Sequence, residues 1–130
     1  MKKLLLGDEA IAQGAIDAGL SGVYAYPGTP STEITEYIQD SPVAKERNIH
    51  RRWSTNEKTA MEAALGMSYM GKRALVCMKH VGLNVCAASA SLTISADSAC
   101  FSVCDCSVCD CVDRLSVLSV MAYSCTKILI

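Results

Sequence analysis

Glu57 is the residue of this 130-residue chain best placed to do chemistry, because it stands at the mouth of an otherwise apolar helix. Within Trp53-Ser54-Thr55-Asn56-Glu57-Lys58 the carboxylate precedes Ala60, Ala63, Ala64, Met67 and Met70, whose spacing of three and four lines one helix face. Two readings of Glu57 stand side by side. Ser54 and Glu57 form the S-x-x-E pattern of a capping box, in which the serine oxygen accepts from the N3 amide and the glutamate accepts from the cap amide. The other reading is a catalytic acid. Two further groups carry potential chemistry: Thr29, after Pro27-Gly28, and the pair Lys79-His80. A hydroxyl at a helix start, a carboxylate and a Lys-His pair would together suit an anionic ligand. Each has a plain alternative, with Thr29 as a cap and Lys79 and His80 as solvated loop residues.

These groups gather only if the elements between them form a sheet. Leu4 to Leu6 reads as a short buried strand or lead-in, followed by a helix over 9–18 with Asp8 as its cap and Ile11, Ala15 and Ala18 inward. Gly14, inside that helix, suggests a close approach by another backbone. Val23-Tyr24-Ala25-Tyr26 predicts a buried strand that ends at Pro27-Gly28. Thr29 then caps a helix with Pro30 at its first position, running to about Gln39 and broken by Asp40-Ser41-Pro42. Residues 43–48 read as polar linker or a frayed turn. Ile49 to Trp53 is a strand candidate polar enough for an edge, and Arg73 to Met78 one apolar enough for burial on both faces. Gly71 stops the helix between them. Alternating strands and helices predict an α/β fold with an open, mostly parallel sheet and flanking helices. In such sheets ligands bind beyond the carboxyl ends of the strands, where Tyr26 to Thr29, Trp53 to Glu57 and Lys79-His80 would meet.

The length allows one domain at most. A net charge of -1, from 12 basic and 13 acidic residues, leaves no footprint for nucleic acid or for an acidic membrane face. Met1 to Leu6 begins like a signal peptide, but Gly7-Asp8-Glu9 ends the apolar run too soon, and nothing approaches a transmembrane span. A cytoplasmic location is therefore expected, with the eight cysteines as reduced thiols or metal ligands.

Four motifs in order carry a family resemblance: Gly7-Asp8-Glu9-Ala10-Ile11-Ala12-Gln13-Gly14-Ala15, Tyr26-Pro27-Gly28-Thr29-Pro30-Ser31-Thr32-Glu33-Ile34, Trp53 to Lys58, and Met78-Lys79-His80-Val81-Gly82-Leu83-Asn84-Val85. Over about Leu4 to Ala88 the chain resembles the start of the indolepyruvate ferredoxin oxidoreductase alpha subunit, within the 2-oxoacid:ferredoxin oxidoreductases. The resemblance implies an enzyme that uses thiamine diphosphate with magnesium to decarboxylate aryl pyruvates oxidatively. Coenzyme A would be the acyl acceptor and ferredoxin the electron acceptor, with a smaller beta subunit as partner and 4Fe-4S clusters in the full-length family only. It also implies that residues 1–88 are the N-terminal part of a pyrimidine-binding domain, incomplete at its C-terminal side and without the domain that grips the diphosphate. Glu57 matches the glutamate that contacts the pyrimidine N1′, and Pro27 and Gly28 lie on the cofactor side. Thr29 would help hold the substrate carboxylate, with Lys79 and His80 as further contacts. Such a fragment is expected to be inactive alone.

After Ala88 the resemblance stops. Residues 89–130 form a Ser/Cys-rich tail with Cys100, Cys104, Cys106, Cys109, Cys111 and Cys125, and with Val-Cys-Asp-Cys twice. Dense thiolates, including C-x-x-C at Cys106 to Cys109, could hold a soft metal, yet no second pair lies at a ribbon-like distance. A cysteine-rich metal-binding protein is thus the alternative function, and a non-functional truncated product a third. Read one base later, Val-Cys-Asp-Cys codons yield residues better suited to a buried strand. A shifted frame or early termination is therefore expected, and coding DNA without a family-like alternative frame would count against it.

Overall fold

Three parallel strands carry the fold: β2 (Gly22–Ala25), β3 (His50–Trp53) and β4 (Ala74–Met78). The computed structural model describes residues 4–29, 31–79 and 81–89, and as backbone also 101–104, 117–121 and 128–129. Strand β2 lies between the other two, with Gly22 opposite both His50 and Ala74, so all three strands point the same way and end together. Two later strands, β5 (Phe101–Cys104) and β6 (Val117–Met121), extend the sheet in the parallel order β3-β2-β4-β6-β5. Leu4–Leu5 (β1) pairs antiparallel with Ile128–Leu129 (β7), apart from the main sheet.

Helices cover both faces. Gly7–Asp17 (α1), Thr32–Asp40 (α2) and the short Pro42–Glu46 (α3) surround a core of Ala12, Ile16, Val23, Ile34, Ile38, Ile49, Leu75 and Cys77. On the other face Glu57–Tyr69 (α4) sets Ala60, Met61 and Ala64 against Tyr24, Ala74, Val76 and Met78. All five residues of β4 are buried, and they alternate between the two cores with the two-residue period of a strand. That is why Arg73 to Met78 reads as a continuous apolar run. Polar β3 lies at the sheet edge, as its composition predicts. A last short helix, α5 (Gly82–Val85), follows β4. Among the described residues no helix is long and apolar enough to cross a membrane.

Several local expectations are corrected. Helix α1 starts at Gly7 with Leu6 at its cap position; Glu9 reaches back to the Leu6 amide at 2.9 Å, and Asp8 sits inside the first turn. Of the expected inner stripe of α1, Ala15 is buried and Ile11 packs against the core, whereas Ala18 is exposed and Ala12 and Ile16 turn inward as well. Gly14 faces solvent with nothing within 4 Å, so no backbone packs there. The short helix α3 takes up the first part of residues 43–48, and its Ser41 cap accepts from the Ala44 amide at 3.4 Å. Met70 is 79% exposed, since α4 ends at Tyr69 and Gly71 follows in the left-handed region at φ 71°.

Candidate functional site at the strand ends

The carboxyl ends of β2, β3 and β4 fall side by side, and the segments leaving them are tied to one another. Leaving β3, the Ser54 amide donates to the Ala25 carbonyl at 2.7 Å, which holds the β3–α4 connection against the end of β2. Beyond β2, two hydrogen bonds tie Gly28 to the start of the next helix: the Gly28 amide donates to Thr32 Oγ1 at 2.9 Å, and the Ser31 hydroxyl donates to the Gly28 carbonyl at 2.8 Å. Thr32 therefore opens α2. Thr29 is not its cap, and it lies exposed in the turn beside exposed Pro27. Pro30 lies outside the described residues.

The segment after β4 crosses both of the others. The stem of Lys79 lies on Gly28, where a Cβ would stand 2.8 Å from Lys79 Cγ. Three residues on, Gly82 lies against Glu57, where a Cβ would stand 2.6 Å from Glu57 Cγ and 2.7 Å from Oε1. A hydrogen bond from the Gly82 amide to the Lys79 carbonyl, 2.9 Å long, braces this crossing. Gly28, Lys79, Glu57 and Gly82 thus share one neighbourhood, with Thr29 and Pro27 on the same loop as Gly28. His80 lies outside the described residues.

The capping-box reading of Glu57 is overturned. Asn56 caps α4, its Oδ1 accepting from the Thr59 amide at 2.8 Å and from the Thr59 hydroxyl at 3.0 Å. Glu57 is the first helical residue and only 8% exposed, and among the described residues its carboxylate makes no hydrogen bond or ion pair. Neither of its oxygens is a buried atom lacking a partner, so the carboxylate keeps an open side on which a ligand donor could sit.

Two participants escaped the sequence. Gly82 falls within the fourth motif, but nothing in its type or spacing shows that it meets Glu57. Cys86, fully buried, points its thiol at the Leu83 carbonyl at 3.5 Å, with Met78 Sδ 3.7 Å away. Burial pushes this thiol up, and the nearby charge of Glu57 adds to the shift. Cys77, in β4, is pushed up to about 12 by burial, so both thiols are inert packing groups. The expected metal cysteines Cys100, Cys106, Cys109, Cys111 and Cys125 lie outside the described residues, and Cys104 is described only as backbone of β5. No group of three or more potential ligands that could hold a metal occurs among the described residues.

A separate hollow of about 270 Å³ lies between α1 and α2 and is walled by Asp8, Glu9, Glu33, Glu36 and Asp40. Its carboxylates would repel an anion, and none of Gly28, Glu57 or Lys79 lines it. Here Asp8 Oδ1 is buried without a partner, and burial, with Glu33 and Glu9 nearby, raises the Asp8 carboxyl above its usual range.

The chain is similar over its front two thirds to indolepyruvate oxidoreductase subunit IorA of several archaea. The match is 51% identical over 86 residues for Thermococcus kodakarensis, covering 66% of this chain and 13% of that subunit. For Archaeoglobus fulgidus it is 50% identical over 88 residues, covering 66% of this chain and 14% of that subunit. Ketoisovalerate oxidoreductase subunit VorA of Pyrococcus horikoshii is 35% identical over 83 residues, covering 64% of this chain and 21% of that subunit. Among solved structures, the 2-oxoglutarate:ferredoxin oxidoreductase from Magnetococcus marinus with 2-oxoglutarate, coenzyme A and succinyl-CoA bound superposes with a TM-score of 0.65 at 26% identity. The superposition covers 78% of this chain and 18% of that one. No family model matches. The chain spans about one seventh of the length of the IorA subunits it matches.

Proposed function

We propose that this chain, whose front two thirds match about one seventh of the IorA subunits and share the fold of a 2-oxoglutarate:ferredoxin oxidoreductase, carries the pyrimidine-facing half of such an enzyme's active site. In this reading the whole enzyme oxidatively decarboxylates aryl pyruvates such as indolepyruvate. Coenzyme A takes the acyl group and ferredoxin the electrons, with a beta subunit as partner and the cytoplasm as setting. The chain alone binds the cofactor through its pyrimidine ring but is inactive, because the grip on the diphosphate and its magnesium lies outside residues 1–88.

The observation that carries the proposal is Glu57: a residue only 8% exposed at a helix start, its carboxylate without a protein partner among the described residues, between the ends of the parallel strands. Its chemistry fits the aminopyrimidine of thiamine diphosphate, because a carboxyl can share a proton with a ring nitrogen and bias the ring toward the form in which its exocyclic nitrogen is a base. When bound, the cofactor supplies the electron sink for decarboxylation. The residues of this chain supply contacts around it. Glu57 holds the proton at N1′, and the Pro27-Gly28 turn borders the cofactor. Thr29 binds the substrate carboxylate, with Lys79 and His80 as additional cationic or hydrogen-bonding groups. The stem of Lys79 across Gly28 keeps its ammonium near that turn, where an anionic substrate gains from a positive charge.

Calorimetry with magnesium and thiamine diphosphate tests this, comparing the chain with Glu57→Gln. Loss of a hydrogen bond to a charged group, worth about 1.5–3 kcal/mol, predicts roughly a ten- to hundredfold weaker affinity for the variant. Equal affinities, or no binding by the folded chain, would count against the proposal.

A further inference from the structure

We propose that Gly82 is a positioning residue for the Glu57 carboxylate: α5 docks its first residue on Glu57, and the missing side chain leaves the space in which the carboxylate stands. The inference rests on the reading of Glu57 as the partner of the cofactor ring.

Space, rather than backbone conformation, is the reason for a glycine here. Gly82 does not lie in the left-handed region, where only Gly19 and Gly71 are found among the described glycines. It occupies the first position of a helical turn, and its amide and carbonyl are both engaged, with Lys79 O at 2.9 Å and Cys86 N at 3.2 Å. Alanine would keep both bonds and is the better helix former, so the local backbone would gain from it. What alanine cannot do is fit. Its Cβ would stand 2.6 Å from Glu57 Cγ, 2.7 Å from Oε1 and 3.0 Å from Cδ. Carbon atoms in contact sit about 3.5–4.0 Å apart. The conflict reaches Cγ, one bond from Cβ, so moving the carboxyl tip alone does not relieve it. Glu57 would have to turn about its first side-chain torsion, which carries the carboxylate away from its present place.

This contact differs from the one at Gly28. There the neighbour is the long stem of Lys79, an exposed side chain with room to swing aside. At Gly82 the neighbour is a residue only 8% exposed. A side chain at position 82 therefore acts on the site through Glu57.

A double-mutant cycle on the full chain tests the assignment, with Gly82→Ala, Glu57→Ala and the double variant read by thermal unfolding, by the carbon-13 shift of the Glu57 carboxyl, and by calorimetry with magnesium and thiamine diphosphate. With Glu57 present, Gly82→Ala is expected to lower the midpoint by about 4 °C or more, to move the carboxyl resonance and to weaken binding tenfold or more. With Glu57→Ala the same change is expected to leave the midpoint level or higher and binding unaltered. If Gly82→Ala alone fails to fold, the double variant is expected to fold. Equal effects of Gly82→Ala in both backgrounds, an unmoved carboxyl resonance, or failure of the double variant to fold would overturn the assignment. If the wild-type chain binds no cofactor, the function proposal fails separately, and the midpoints and the carboxyl resonance still decide the role of Gly82.

Discussion

Replacing Asn56 by alanine should destabilise the chain, and replacing Ser54 should not. Asn56 Oδ1 accepts from both the amide and the hydroxyl of Thr59, at 2.8 and 3.0 Å, so its removal leaves a first-turn amide without its partner. An N-cap of this kind is worth about 1 kcal/mol, within a range of roughly 0.5–2. Ser54 is held through its backbone amide, which alanine retains, so Ser54→Ala should fall within about 0.5 kcal/mol of wild type. Urea unfolding followed by far-ultraviolet circular dichroism measures both, with an unchanged m-value as the sign that only native stability moved. Asn56→Asp should recover most of the loss, because aspartate caps about as well. If Ser54→Ala costs as much as Asn56→Ala, then Ser54 is the cap. Glu57 would then regain a structural role as the return half of the box, and its availability to a ligand would be lost.

Two further perturbations follow from the same geometry. Gly14→Ala should stabilise the chain by about 0.5–1 kcal/mol in chemical denaturation, because the position is helical and exposed with nothing within 4 Å of an added Cβ. Asp8→Asn should raise the thermal midpoint at pH 7. Desolvation first, then Glu33 and Glu9, lifts the folded carboxyl above 3.8, so between that value and the folded one the native state binds more protons than the unfolded state. Stability from this group therefore falls as pH rises through the window, and the penalty is complete above it. The gain from Asp8→Asn should shrink as pH is lowered and vanish below about 3.8; a gain that grows in acid would show the sign to be wrong.

The sheet was largely legible because its strands differ in kind. Ala74 to Met78 is buried on both faces and reads as unbroken apolar sequence, while His50 to Trp53 reads as polar because it lies at an edge. Helix starts were less legible. Ser54-x-x-Glu57 and Asn56-x-x-Thr59 overlap, and only the bond to the Thr59 amide decides between them. Likewise Thr29-Pro30 has the form of a cap and first residue, but the hydrogen bonds of Gly28 with Ser31 and Thr32 delay α2 to Thr32. In the site, Glu57, Gly28 and Lys79 could be picked out by type and by their places after strands. The contact of Gly82 with Glu57 could not, since it joins residues from different strand ends through the absence of a side chain. The hollow beside Asp8 was illegible for a similar reason, because its carboxylates come from two helices that meet only after folding.

If the Glu57 carboxylate is held open for a ring nitrogen, a crystal structure of the chain with thiamine diphosphate and magnesium will show pyrimidine N1′ within about 2.6–3.0 Å of a Glu57 carboxylate oxygen, with Asn56 still bonded to the Thr59 amide and Gly82 still against the glutamate stem. A ring bound elsewhere on the chain, or a Glu57 carboxylate engaged by a protein donor with the cofactor present, would contradict it.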